Sequence, residues 1–171
     1  MQVLLSGGGY PLILADDNGT LTPVPDYWVA LLHKRLMGTA VLNVSLAAEE
    51  GASRLRAYAH CARAPTGRVT LTLINLSPDT LSVGTGPLAP SAGTRDEWHL
   101  TPGPRLPGLS RLQSASTLLS GVALNVLPGP ELPSLAPRTV DASTGPITLA
   151  AQSIAFVVVT DNQKLCAMSA A

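Results

Sequence analysis

Four glutamates, three histidines and two cysteines are the residues that could carry chemistry in this chain of 171 residues. Paired carboxylates can divide acid, base and nucleophile roles, provided folding brings them together over a pocket. Glu49 and Glu50 adjoin Gly51 in a turn, Glu97 follows Asp96 on what reads as a strand edge, and Glu131 sits among prolines. No pair reads as placed on strand ends facing a pocket, so no self-contained acid–base site is expected. His33, His60 and His99 fall on different elements without ligand spacing, so no metal site is expected either. Gly7-Gly8-Gly9 lacks the lysine and helix start of a phosphate loop, and no cofactor is expected.

The cysteines admit two readings. His60 beside Cys61 could activate a thiol, or Cys61 could pair with Cys166. Three glycosylation sequons begin at Asn18, Asn43 and Asn75, the last weakened by Pro78. With the cysteine pair they point to an oxidising compartment, where a Cys61–Cys166 disulfide is expected. Closing a loop of that length would stabilise the fold by roughly 4–5 kcal/mol in the chain-entropy picture. The formal net charge of zero argues against nucleic acid or an anionic membrane as partner. No apolar run approaches the roughly 20 residues of a spanning helix. Residues 1–5 have no basic start and too short an apolar run for a signal peptide. A secreted body without a leader suggests a sequence lacking its true N-terminus.

The elements that would position these residues are mostly strands. Gln2 to Leu5 reads as a short buried strand running into a glycine-rich loop that includes Tyr10. One helix is expected over 25–37. Trp28, Leu31, Leu32 and Leu36 form its apolar face, Pro25 suits its first turn, Asp26 and the His33-Lys34-Arg35 run suit its dipole, and Gly38 is placed to end it in a left-handed conformation. Strands are expected over 41–46, 54–61, 68–76, 81–83, 95–101, 117–119, 122–126, 147–149 and 153–160. The pair 54–61 and 68–76 forms the clearest hairpin, and the last strand reads as central. Proline-dense segments at 102–108 and 127–137 read as surface connections. Many short strands between turn signals argue for a β-sandwich.

Gly8-Gly9-Tyr10, Pro25-Asp26-Tyr27-Trp28, Leu36-Met37-Gly38-Thr39, Arg56-Ala57-Tyr58-Ala59-His60-Cys61, Glu97-Trp98-His99-Leu100-Thr101 and a final strand followed by Cys166 occur in this order. Together they resemble the C-terminal part of heparanase-like proteins, the plant-type members of glycoside hydrolase family 79. The resemblance implies a retaining β-glucuronidase or heparanase group, built as a (β/α)₈ barrel joined to a C-terminal β-sandwich. Residues 1–38 would then be the last strand, glycine-rich loop and last helix of an otherwise missing barrel, and 39–171 the sandwich. Both catalytic glutamates would lie upstream, so the chain alone would be inactive. By the same resemblance the Gly8 backbone and the Tyr10 hydroxyl would contact a glucuronic acid in the full-length protein. That protein would be secreted, or lysosomal or vacuolar, with peripheral membrane association. With the barrel missing, the helix is expected to be loosely held, its apolar face partly exposed. A stand-alone sandwich that binds carbohydrate or protein is the alternative; it would need an exposed aromatic platform, and the aromatics are few.

Overall fold

The six residues from Ile154 to Val159 are all apolar, which suits a strand covered on both faces. In the computed structural model, which describes residues 2–5, 10–46, 52–64, 67–88, 93–104, 107–108, 110–114, 116–126, 131–159 and 166, they lie in the central strand of the main sheet. The elements are β1 (Gln2–Leu5), β2 (Tyr10–Ala15), β3 (Leu21–Pro23), α1 (Pro25–Leu36), β4 (Met37–Leu42), β5 (Leu55–Ala62), β6 (Val69–Asn75), β7 (Leu81–Val83), β8 (Thr94–Pro102), β9 (Thr117–Leu119), β10 (Val122–Ala123), β11 (Arg138–Asp141), β12 (Ile147–Leu149) and β13 (Ser153–Val159). The chain is mainly β, with one α-helix among the described residues. The main sheet runs β10-β9-β8-β13-β6-β5-β4, with β11 also paired to β8. β13 lies antiparallel between β6 and β8.

Alternation along β13 divides the interior into two cores. Ala155, Val157 and Val159 join Leu55, Val69, Leu71, Leu73, Ile147 and Leu149 on one face. Phe156 and Val158 join Trp28, Leu32, Met37, Trp98 and Leu100 on the other. A two-stranded sheet, β7 with β12, supplies Ile147 and Leu149 to the first core. Helix α1 supplies Trp28 and Leu32 to the second. The expected hairpin forms as β5 and β6, in register from Leu55↔Asn75 to Cys61↔Val69. The pair at 117–126 forms as β9 and β10 around Ser120 and Gly121, both at positive φ as a tight hairpin turn requires. A Cys61–Cys166 disulfide ties β5 to the C-terminal segment, with Cα atoms 5.5 Å apart.

The helix starts as expected, with Pro25 in its first turn, but it ends differently. Helical geometry stops at Leu36, Met37 is already extended, and Gly38 lies in β4 rather than in a left-handed cap. Tertiary partners satisfy the last-turn carbonyls instead. The Thr70 hydroxyl and the Arg63 backbone N–H donate to the Leu36 oxygen, and the Arg63 guanidinium donates to that of Lys34. Gly38 answers a different need: a Cβ there would sit 2.5 Å from the Cys61 carbonyl oxygen. The strand expected at 41–46 accordingly begins earlier, as β4, with a register irregularity between Met37 and Val41.

Three strands were not expected. β2 begins at Tyr10 and pairs in parallel with β1, so Tyr10 opens a strand rather than sitting in a loop. β3 carries Pro23, which an edge strand tolerates. β11 has the sequence Arg-Thr-Val-Asp, with no apolar alternation to announce it.

The expected exposure of the helix face is also corrected. Trp28 and Leu32 are each 1% exposed and pack in the same core as Phe156 and Val158, so the main sheet itself covers them. Leu31 and Leu36 are half-buried at the margin of that core. The Trp28 indole N–H is buried without a hydrogen-bond partner among the described residues, so the stabilisation at this site comes from packing. Trp28→Ala is therefore expected to cost about 3–5 kcal/mol in urea unfolding, the range for a large aromatic removed from a core. A cost below about 1 kcal/mol, the size of a surface substitution, would show that the helix does not dock on this sheet.

Candidate functional site

Tyr10 is the first residue of β2 and is 77% exposed, so its phenol stands open to solvent. Gly8, expected beside it, lies outside the described residues, as do Glu49 and Glu50. Tyr58, on β5, is the other strongly exposed aromatic among the described residues, while Trp28, Trp98 and Phe156 are buried. Exposed aromatics thus stand singly on separate strands.

The carboxylate that the structure singles out is Glu97. It does not lie at a strand edge, as the sequence suggested. β8 is flanked by β13 on one side and by β9 and β11 on the other, and Glu97 stands opposite both Val157 and Arg138. It is 1% exposed, and its oxygens are fully engaged. Oε1 accepts from Arg95 Nε at 2.6 Å; Oε2 meets His99 Nε2 at 2.9 Å and accepts from Arg138 at 3.0 Å. Arg95 also donates to the carbonyls of Gly145 and Pro146. The signal was present in the sequence: Arg95, Glu97 and His99 alternate at spacing two, which puts all three on one face of a strand. Arg138 came from a strand that no sequence pattern revealed.

Burial by itself would raise the Glu97 carboxyl. The hydrogen bonds and charges of His99 and Arg95 outweigh it and push the carboxyl down to about 2. A general acid must hold a proton at its working pH, and a nucleophile must present an oxygen to substrate. Glu97 does neither. Glu131 is exposed and belongs to no such cluster, and Asp96 accepts from the Thr139 hydroxyl at 2.7 Å.

The remaining expected residues separate clearly. His33 and His60 lie on different elements but come together, their ring centroids 5.9 Å apart and nearly perpendicular. His60 Nδ1 lies 2.7 Å from the Gly38 oxygen, and no group of three metal-ligating side chains occurs among the described residues. Cys61 is in the disulfide, so the thiol-nucleophile reading fails. Asn18 and Asn43 are exposed, as a glycan attachment site requires. Asn75 is a correction: it is 1% exposed, and its amide nitrogen donates to the carbonyls of Asp79 and Ala150 at 2.8 Å each, which leaves no room for a glycan. No helix among the described residues is long and apolar enough to cross a membrane.

The Glu97 cluster sets an acid dependence of stability. Its carboxyl is depressed in the folded state, so its contribution is complete above the ordinary glutamate value of 4.5 and is lost as pH falls toward 2. Across that window roughly 3 kcal/mol should disappear. Glu97→Gln should cost about 3–5 kcal/mol at pH 7, because Arg95 loses its buried counter-charge, and should flatten the acid limb. Urea midpoints between pH 7 and pH 2.5 measure both effects. A native chain equally stable at both ends of the window would contradict the assignment.

No family model matches the sequence. Curated relatives do. Heparanase-like protein 1 of Arabidopsis thaliana is 35% identical over 187 aligned positions, which cover 90% of this chain and 32% of that protein. Baicalin-β-D-glucuronidase of Scutellaria baicalensis is 34% identical over 139 positions, covering 81% of this chain and 24% of that one. Among solved structures, a family 86 glycoside hydrolase in complex with neoagarooctaose superposes with a TM-score of 0.52 over 94% of this chain and 22% of its own, at 12% identity, a likeness of fold alone. The chain thus spans about a quarter to a third of the curated relatives named here. By its sequence the chain belongs with the heparanase-like and baicalin-β-glucuronidase proteins of glycoside hydrolase family 79, of which it corresponds to a part.

Proposed function

We propose that this chain is the C-terminal part of a heparanase-like retaining glycoside hydrolase acting on glucuronic-acid-containing glycans or glucuronides. On this reading, residues 1–38 bring the last strand, glycine-rich loop and helix of the catalytic barrel, and residues 39–171 form its sandwich. One observation carries it: the match covers 90% of this chain but only 32% of the Arabidopsis relative. The state of Glu97 supports it. Retaining hydrolysis needs two carboxyl groups about 5–5.5 Å apart, one of them protonated to start the reaction. Glu97 is ionised and enclosed, which removes it as a member of that pair, and the reading takes the pair from polypeptide outside this chain.

Within that protein, Gly8 and Tyr10 would touch the sugar acid. Barrel enzymes build their sites at the C-terminal ends of strands, and Tyr10 follows β1 in the sequence after three glycines. Its exposure leaves the hydroxyl free to donate to a carboxylate. Exposed Asn18 and Asn43 would carry glycans in a secreted, lysosomal or vacuolar protein. The stand-alone binding module gains little support, since the two strongly exposed tyrosines lie on different strands and form no common platform.

The chain alone should hydrolyse an aryl β-glucuronide only at background rate. Turnover abolished by replacing one of its own glutamates would refute the proposal. A chimera in which this chain replaces the matching part of the Arabidopsis heparanase-like protein should fold. It should hydrolyse the glucuronide if the native relative does. Tyr10→Phe in that chimera should lower kcat/KM by about 10–100-fold, the value of one hydrogen bond to a charged group. An unchanged kcat/KM would remove Tyr10 from the site.

A further inference from the structure

Asn43 follows Leu42, which ends β4 paired with Ala59 of β5. Continued by one residue, that antiparallel register sets Asn43 opposite Tyr58. The faces agree. Ala40, Leu42 and Val44 pack on the first core, as Ala57 and Ala59 do from β5, so Val41 and Asn43 share the other face with Tyr58 and His60. Side chains directly opposed in such a pair have Cβ atoms about 4.5–5.5 Å apart. Tyr58 is 53% exposed, and Val41, diagonal to it, is 71% exposed. The neighbours of Tyr58 along its row turn elsewhere. The Arg56 guanidinium donates to the carbonyls of Ser53 and Leu55, and His60 meets His33 of α1 and the Gly38 oxygen.

β4 is the outermost strand of the main sheet on this side among the described residues. Apolar side chains beside the open backbone groups of an edge strand invite pairing with another chain, and a bulky polar group there opposes it. Asn43-Val44-Ser45 is a glycosylation sequon, and Asn43 is exposed. We propose that Tyr58 is the platform for the first N-acetylglucosamine of an N-linked glycan on Asn43, the sugar lying against the phenol ring and beside Val41. The proposal rests on the reading of the chain as part of a protein of the secretory pathway. In the joining step Asn43 Nδ2 attacks C1 of a sugar carried on a lipid pyrophosphate. The N–C1 bond forms, the C1–O bond breaks with its electron pair leaving on the pyrophosphate, and Nδ2 gives up one proton. The fit is chemical. One face of the pyranose carries C–H groups, which suit the electron-rich face of an aromatic ring, while the phenol oxygen and the sugar hydroxyls stay in water. The other exposed sequon provides an internal control: Asn18 sits in the turn between β2 and β3, on a different sheet, where Asp16 accepts from the backbone N–H groups of Asn18 and Thr20.

The chain, secreted from plant cells behind a cleavable leader, tests the proposal. Peptide mass mapping should find a glycan on Asn43. Ser45→Ala, which removes the sequon and keeps Asn43, should lower Tm by about 2 °C, the size of a cross-strand aromatic contact in a chain of this length. In a Tyr58→Ala background the same Ser45→Ala change should move Tm by less than about 0.5 °C, and in a Tyr58→Phe background the full loss should return. Trimming the glycans to a single N-acetylglucosamine should preserve the gain. The acetyl methyl protons of that sugar on Asn43 should show an upfield ring-current shift in NMR, which Tyr58→Ala abolishes. Equal effects of Ser45→Ala with and without Tyr58→Ala, or a gain that disappears on trimming, would overturn the platform and leave the secretory reading standing. A glycan on Asn18 with Asn43 unmodified has the same meaning. Neither asparagine modified in the secreted chain overturns both.

Discussion

Phe156 and Val157 leave opposite faces of one strand, and neither is accessible to water. That double burial is the constraint on which the rest of the structure depends. A strand enclosed on both faces needs a layer above and a layer below. The β7–β12 pair provides one, with Ile147 and Leu149, and helix α1 the other, with Trp28 and Leu32. Neither layer is large. Each supplies two of its largest apolar side chains to the region over β13, where the apolar density of the sheet is greatest.

The charged ladder on β8 belongs to the same arrangement. Arg95, Glu97 and His99 stand on the face that Ala155, Val157 and Val159 occupy one strand over. Desolvating ions beside an apolar core is costly unless every charge is met. Here the carboxylate is met on both oxygens, and Arg95 reaches the backbone at Gly145 and Pro146 while Arg138 comes from β11. The cluster fastens the 138–146 segment, just before β12, to the main sheet. A buried carboxylate among basic groups could suggest catalysis; its occupied oxygens and depressed carboxyl make it a structural tie.

The two ends of α1 behave differently. At its C-terminus, Thr70 on β6 and Arg63, just after β5, donate to the last carbonyls, so helix and sheet meet through both hydrogen bonds and packing. At its N-terminus the helix stops short of the row formed by Ile74, Ile154 and Leu100. The first end is closed by residues of this chain, while the second presents half-buried aliphatic side chains. Tyr10, exposed on β2, also lies on the N-terminal side of the helix in sequence.

The β5–β6 hairpin, the apolar run of β13 and the start of α1 were legible in the sequence because their cause is local. Alternation at period two, an unbroken apolar run and a proline at a helix start depend on neighbours a few residues away. The pairing of Cys61 with Cys166 was likewise legible, since the chain has only these two cysteines. Gly38 was read as a helix cap because glycine commonly fills that role; only the approach of the Cys61 carbonyl, from another strand, shows why a side chain is excluded. Glu97 looked peripheral because its partner Arg138 lies 41 residues away, on a strand without an apolar signal. Asn75 looked like a glycan acceptor because a sequon says nothing of burial; the carbonyls of Asp79 and Ala150 decide its fate. Local pattern determined the β5–β6 hairpin, β13 and the start of α1, but not β2, β3 or β11. Long-range packing decided which polar side chains were enclosed, because burial is a property of the layers that meet around a residue and not of the residues beside it in the chain.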